Sequence, residues 1–468
     1  MTNSTSRREF LRRAGALGGM GAAAPWALNL AAIGAAGSLS AIHAHAQSAA
    51  DDYRALVCVF LYGGNDNHNT VVPYDEGTYQ RYLDIRGSIA LPRDSLSLTE
   101  LVPSNPWPDA RRMALHPSLA PLKTLFDEGK VALAMNVGTL EREGTTLDDF
   151  KAGRGLPPKL FSHNDQQSVW QSLKAEGATY GWGGRMADLL AAADGSATFA
   201  SISAAGNAVF MSGQRVVQYQ VGPEGSIALE TVFGSAGATD ALRRLMQRGG
   251  SANLFEAEHA RIASRSFAAD AQVRAALAPV TVPAFPDTSL GAQLRIVARL
   301  IAARAGLGAK RQVFFVSQGG FDNHDGLIDK HPGLLGSVAD AMKAFYDATV
   351  AMGMQNSVTA FTGADFGRTL ANNGDGSDHG WGSYHLVVGG AVQPKAWVGR
   401  LPSVSVVADE HNVGGGRLLP AIGVDQYGAT LARWFGVADS DMAEVFPRIG
   451  NYSVRDLGFM PDYRRPPP

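Results

Sequence analysis

A single cysteine, Cys58, stands in the 468 residues, which excludes an internal disulfide framework and any thiolate-ligated cluster. Its setting, Ala55-Leu56-Val57-Cys58-Val59-Phe60-Leu61, makes it a small buried side chain. Charge is scarce too: 18% of the residues are Asp, Glu, Lys or Arg, and the formal net charge is −2. Without a basic surplus, nucleic acid is not an expected partner. Past the N-terminus no run reaches the roughly 20 apolar residues of a membrane span, and no internal repeat is visible. What abounds is apolar side chain, at 45%, and glycine, at 54 residues. That supports one large core or two joined ones, with long functional loops on a regular scaffold.

The N-terminus sets the expected compartment. Ser6-Arg7-Arg8-Glu9-Phe10-Leu11, then Arg12 and Arg13, precede a mildly apolar Ala/Gly/Leu stretch, and Ala44-His45-Ala46 flanks a cleavage point before Gln47. This resembles a twin-arginine export signal over residues 1–46. The resemblance implies the twin-arginine translocase as a transient partner and a periplasmic or secreted mature protein. The glycines at 15, 18, 19 and 21 are not a nucleotide loop, because no strand precedes them. Residues 47–468 read as one α/β domain with a helical insertion around 205–287.

From Arg54 to Tyr62 the chain is a continuous apolar strand, of the kind buried on both faces of a parallel sheet. It runs into Gly63-Gly64-Asn65-Asp66-Asn67-His68, a polar loop where open α/β sheets keep their ligands. Asp66 is there a metal-ligand candidate, with an Asx turn as the alternative. A helix opening at His116-Pro117-Ser118 and a strand from Val131 to Val137 predict a right-handed βαβ unit, in which His116 is structural. In Phe161-Ser162-His163-Asn164-Asp165, Ser162 and Asp165 spell a capping box. The capping box is the default explanation; a helix start is also an anion site, so it does not exclude Ser162 as a nucleophile.

Further strands are expected at Arg311 to Val316 and around Val358 to Phe361. The first ends in Gly319-Gly320-Phe321-Asp322-Asn323-His324, where period-two alternation puts Asp322 and His324 on one side. The second leads to Asp365 and then to Asp378-His379 and His385. Carboxylates and imidazoles at strand exits are costly to bury unless paired, and a divalent metal pairs with both; an Asp–His hydrogen bond holding a loop is the plainer alternative. His331 is expected in a loop or at a cap ahead of a helix from Leu334 to Met352, and His411 as a reserve ligand.

In order, GGNDNHNTVVPYD, HPSLAPLKTLFDEGKVALAMNVG, FSHNDQQSVWQ, GGFDNHDG and FTGADFGRT with SDHGWGSYHLVVGGAV resemble the bacterial exported proteins of the domain of unknown function 1501 family. That family is in turn distantly similar to the alkaline phosphatase and sulfatase superfamily. The resemblance implies a three-layer α/β/α sandwich with a mostly parallel central sheet. It implies metal ligation by Asp66, Asp322, His324, Asp378, His379 and His385, and Ser162 as nucleophile. Asp365 occupies the place where the superfamily's Asp-His usually follows its strand, so either Asp365 is the ligand or the site has been rebuilt. A Cys/Ser-x-Pro-x-Arg signature is missing, which disfavours a formylglycine sulfatase. The expectation is a hydrolase of a phosphate or sulfate ester using two zinc, manganese or iron ions. The alternative is a non-catalytic exported scaffold or assembly factor.

Overall fold

A computed structural model describes residues 52–194, 197–226 and 254–461, together with Gly237, Ala238, Asp240, Ala241 and Arg244. The export signal expected at 1–46, part of the expected insertion at 205–287 and the end of the C-terminal tail lie outside the described residues. The strands are β1 Arg54–Leu61, β2 Val71–Pro73, β3 Glu100–Leu101, β4 Met113–Leu115, β5 Val131–Gly138, β6 Ser201–Ser203, β7 Tyr219–Gly222, β8 Gly225–Ser226, β9 Arg311–Gln318, β10 Val358–Ala364, β11 Ser383–Gly389, β12 Trp397–Gly399 and β13 Ile422–Gly423. Ten of them form one sheet in the order β12-β5-β11-β10-β1-β9-β6-β7-β8, with β13 also on β5, while β2, β4 and β3 form a small separate sheet.

β1 is the centre. It pairs in parallel with β10 on one side and β9 on the other, and Ala55 to Leu61 are all buried. Alternate side chains serve opposite faces, as the pleat requires. Leu56, Cys58 and Phe60 pack with Trp170, Trp182 and Tyr427, while Val57, Val59 and Leu61 pack with Leu122, Leu294 and Val338. The first group of partners comes from α3 His163–Ser172, α4 Trp182–Asp194 and α8 Val424–Phe435; the second comes from α2 Ala120–Asp127, α6 Ser289–Ala302 and α7 Leu327–Ala351. Helices therefore cover both faces of a mostly parallel sheet, an α/β architecture in three layers.

Three expectations change. β1, α2 and β5 do not make a simple βαβ neighbour pair, because β10 and β11 lie between the two strands and β11 is antiparallel to both its neighbours. The helix expected from Leu334 starts at Leu327 and runs through Pro332. One helix hydrogen bond near the start is lost there, which the remaining turns outweigh. His331 accordingly sits inside α7 and is buried, neither in a loop nor at a cap. Among the described residues no helix is long and apolar enough to cross a membrane.

Candidate metal centre

Three adjacent parallel strands, β10, β1 and β9, end on the same edge of the sheet, and the loops leaving them meet there, as loops at carboxyl ends of parallel strands do. The loop after β9 carries Asp322 and His324. It is not extended: Asn323 N–H donates to Phe321 O at 2.8 Å and His324 N–H to Asp322 O at 3.1 Å. These tight turns, rather than strand alternation, bring His324 Nε2 to 3.1 Å from Asp322 Oδ1. The loop after β10 doubles back on itself, Gly367 N–H donating to Trp381 O and Thr369 N–H to Asp378 O, and so presents Asp378 and His379. Contact is too close there for a side chain: a Cβ on Gly367 would lie 1.9 Å from Gly382 O, and one on Gly376 2.4 Å from the His324 backbone. His163, the first residue of α3, completes the group.

Nε2 of His379 is 2.9 Å from Nε2 of His324 and 3.2 Å from Asp322 Oδ1. Nε2 of His163 is 3.4 Å from Asp322 Oδ2 and has no hydrogen-bond partner although it is buried. Ligand atoms of His163, Asp322 and His379 all lie within 4.8 Å of one another. The other nitrogen of each ring settles the tautomer. His379 Nδ1 is 2.7 Å from Phe161 O, His324 Nδ1 is 3.2 Å from Asp378 Oδ1, and His163 Nδ1 is 2.6 Å from Asp365 Oδ2. A carbonyl and two carboxylates only accept, so each Nδ1 carries the hydrogen, and a ring in its neutral form turns an Nε2 lone pair inward. Two Nε2 atoms 2.9 Å apart beside a carboxylate call for a proton or a metal cation between them, and oxygen acceptors behind the imidazoles are the usual support of metal-ligating histidines. The donor set therefore fits a divalent ion. Three imidazole nitrogens and one carboxylate suit zinc, iron or manganese better than calcium.

Electrostatics favour the ligand forms at two positions. Burial would raise the Asp322 carboxyl, but the hydrogen bond and charge of Arg368 hold it below the usual carboxylate range. Burial lowers His379 below the usual imidazole value, which keeps it neutral. His163 is raised, first by its hydrogen bond to Asp365, so protons compete with a metal there. Arg368 is fully buried and donates to Gly63 O, Gly64 O, Ser377 O and the Asp322 carboxylate.

Of the residues singled out in the sequence, Asp322, His324 and His379 converge. Asp365 and Asp378 stand behind the imidazoles. Asp365 accepts from His163, from Gln167 Nε2 at 2.8 Å and from Gly63 N–H at 3.2 Å, while Asp378 accepts from His324 and from Asn373. Asp66 is not brought to the cluster. Its Oδ2 faces Arg86 Nη2 at 2.8 Å and Ser377 Oγ at 2.7 Å, and its Oδ1 accepts from Asn69 N–H at 2.9 Å. Three donors already occupy the carboxylate and a guanidinium supplies the positive charge, and among the described residues no group of metal-ligating side chains gathers around it. His385 is also apart, buried between Trp170 and Tyr427 with Nδ1 3.3 Å from Thr362 Oγ1. Ser162 caps α3 without the expected side-chain bond to backbone; its Oγ donates to Asp165 Oδ2 at 2.9 Å. His411 accepts from Ser403 N–H away from the cluster. The sequence reading missed His163, which lies in the segment weighed only for its serine, and missed Arg368, which has no local motif.

Among the described residues four histidines lie buried outside the ligand group, His68, His116, His331 and His385, each lowered by burial, to about 4, 4, 3 and 3. Each stays neutral in the fold but takes a proton near its ordinary 6.5 once unfolded. From that value down to about 3–4 the unfolded chain binds more protons, so stability falls with acid across that window and is complete above it. The melting temperature, measured with a chelator present, is expected to drop by more than about 5 °C between pH 7 and pH 5. A flat profile over that range is the contrary result.

The family model described as "Protein of unknown function (DUF1501)" matches residues 53–425. Two solved structures, the crystal structure of Ps i-CgsB and that of Ps i-CgsB in complex with k-i-k-neocarrahexaose, are similar at 10% identity. Each alignment covers 86% of this chain and 77% of the other, with a TM-score of 0.35, a likeness too weak to bear on chemistry. No curated protein matches the chain.

Proposed function

We propose, for a chain that belongs to the DUF1501 family of proteins of unknown function, a hydrolase that uses a divalent cation to cleave a phosphate or sulfate ester. The observation that supports it most is the gathering of the Nε2 atoms of His163, His324 and His379 around the Asp322 carboxylate, each ring backed by an oxygen acceptor at Nδ1. His163, His324, His379 and Asp322 would hold the ion. Bound there, it supplies Lewis-acid stabilisation of the negative charge that builds on ester oxygens. The chain's own groups prepare the site: Asp365, Asp378 and Phe161 O orient the three rings, and Arg368 pins Asp322. Ser162, between Phe161 and His163, stands as the nucleophile, with the buried Asp165 placed to take its hydroxyl proton. A single ion with Arg368 beside it replaces the pair of ions expected from the sequence. The reading keeps the distant similarity to alkaline phosphatases and sulfatases, and an exported protein working outside the cytoplasm.

The test is metal analysis of the purified protein together with turnover of p-nitrophenyl phosphate and p-nitrophenyl sulfate, in the wild type and in Asp322→Ala. The expected result is about one ion per chain and a rate that falls at least about a hundredfold in the variant. Ser162→Ala separates serine attack from direct attack by water, since only the first loses a covalent intermediate. A wild type that neither retains metal nor turns over either ester sinks the proposal.

A further inference from the structure

Beside His324, Asp378 and His379 opens a cavity of about 370 Å³ whose other walls are Phe150, Phe161, Val413 and Arg417. The volume is at the lower end for small-molecule sites, room for one ring and a charged substituent. Phe150 and Phe161 meet edge to face, centroids 6.3 Å apart, and make an apolar wall. The guanidinium of Arg417 lies 5.6 Å over the Phe161 ring. Arg417 Nε donates to His379 O at 2.9 Å and Nη1 to Gly414 O at 3.3 Å. Both acceptors are neutral carbonyls, and among the described residues Arg417 makes no ion pair. Its posture is set by Gly414, Gly415 and Gly416, at φ of 110°, 64° and 70°; a Cβ on Gly415 would come 2.8 Å from Arg417 Nη1. Asp322 pairs with Arg368, Asp378 lies near Arg417 and Asp365 stands behind His163, so a divalent ion among these three acids and two arginines would turn a deficit of one positive charge into a surplus of one.

We infer that Arg417 selects the substrate, and that the substrate is an anionic monoester whose leaving group is a single ring lying against Phe161 and Phe150. This rests on the hydrolase reading. A planar guanidinium matches two oxygens of a phosphate or sulfate, whereas a neutral ester or amide leaves its charge unanswered beside an apolar wall.

The probes are phenylphosphonate, its neutral dimethyl ester and inorganic phosphate, titrated calorimetrically into the full chain as purified with its metal. Phenylphosphonate is expected to bind at least about tenfold more tightly than the dimethyl ester. Arg417→Met is expected to weaken it about 10- to 100-fold, with partial recovery in Arg417→Lys. Phe150→Leu, which removes the wall ring that Arg417 does not touch, is expected to weaken phenylphosphonate more than inorganic phosphate. An Arg417→Met protein with wild-type melting and metal content that binds phenylphosphonate as before overturns the inference. Should that variant not fold, equal wild-type affinity for phenylphosphonate and its dimethyl ester overturns it instead. Arg417-dependent binding without ester turnover removes the hydrolase and leaves the anion site standing; turnover with Arg417-independent binding removes the anion site alone.

Discussion

Arg86→Met is expected to destabilise the protein by about 3–5 kcal/mol, the cost of leaving one partner of a buried ion pair uncompensated. Against a typical total of about 5–15 kcal/mol, that is a large fraction, read as a fall in urea midpoint. The pair is inaccessible on both sides, and burial opposes the Asp66 charge while the Arg86 guanidinium holds its carboxyl far below the usual range. Arg86 also donates to Thr369 O, so the substitution loosens the loop after β10 as well. Asp66→Asn should be costly in the same way, and the double variant should cost less than the sum of the singles, because each single strands a charge the other removes. The metal content of the folded Asp66→Asn fraction should be unchanged. Loss of the ion from a stable Asp66→Asn protein would instead make Asp66 a ligand.

The second large effect concerns His163. His163→Ala removes an inward lone pair and is expected to weaken metal affinity by more than about 100-fold, measured by competition with a chromophoric chelator. Asp365→Asn keeps the outline of the support behind His163 but removes its charge, and is expected to lose about 10- to 100-fold, the range for groups that orient a ligand. The order of the two matters more than either value. His163 Nδ1–H donates at 2.6 Å to Asp365, 202 residues away in the chain, so a weaker effect from His163→Ala than from Asp365→Asn would place the ion on Asp365. Wild-type affinity in His163→Ala would take this residue out of the site.

Asp322, His324 and His379 were legible because each stands in a short polar loop directly after an apolar strand, or in the return from one, and such loops gather at one sheet edge. Asp66 obeys the same rule and still serves another purpose. Its loop leaves the same edge, but the first helical turn after it points its carboxylate at Arg86, which comes from α1 Glu76–Arg86. The rule gives the edge on which a side chain emerges and not its direction. His385 shows the complementary limit: it follows the motif by a few residues but lies inside β11, where alternation turns it into the core.

The sequence by itself determined which segments are buried strands and which are amphipathic helices, because hydrophobic periodicity is a local property of the chain. It also determined that acids and imidazoles cluster at strand exits. Only the tertiary structure decided which of them meet. That depends on β1 lying between β9 and β10, in a register that sets Leu61 opposite Gln318 and Ala364, and on α3 delivering His163 from another part of the chain. Strand neighbours and helix docking are set by long-range packing, in which side chains hundreds of residues apart share one small volume.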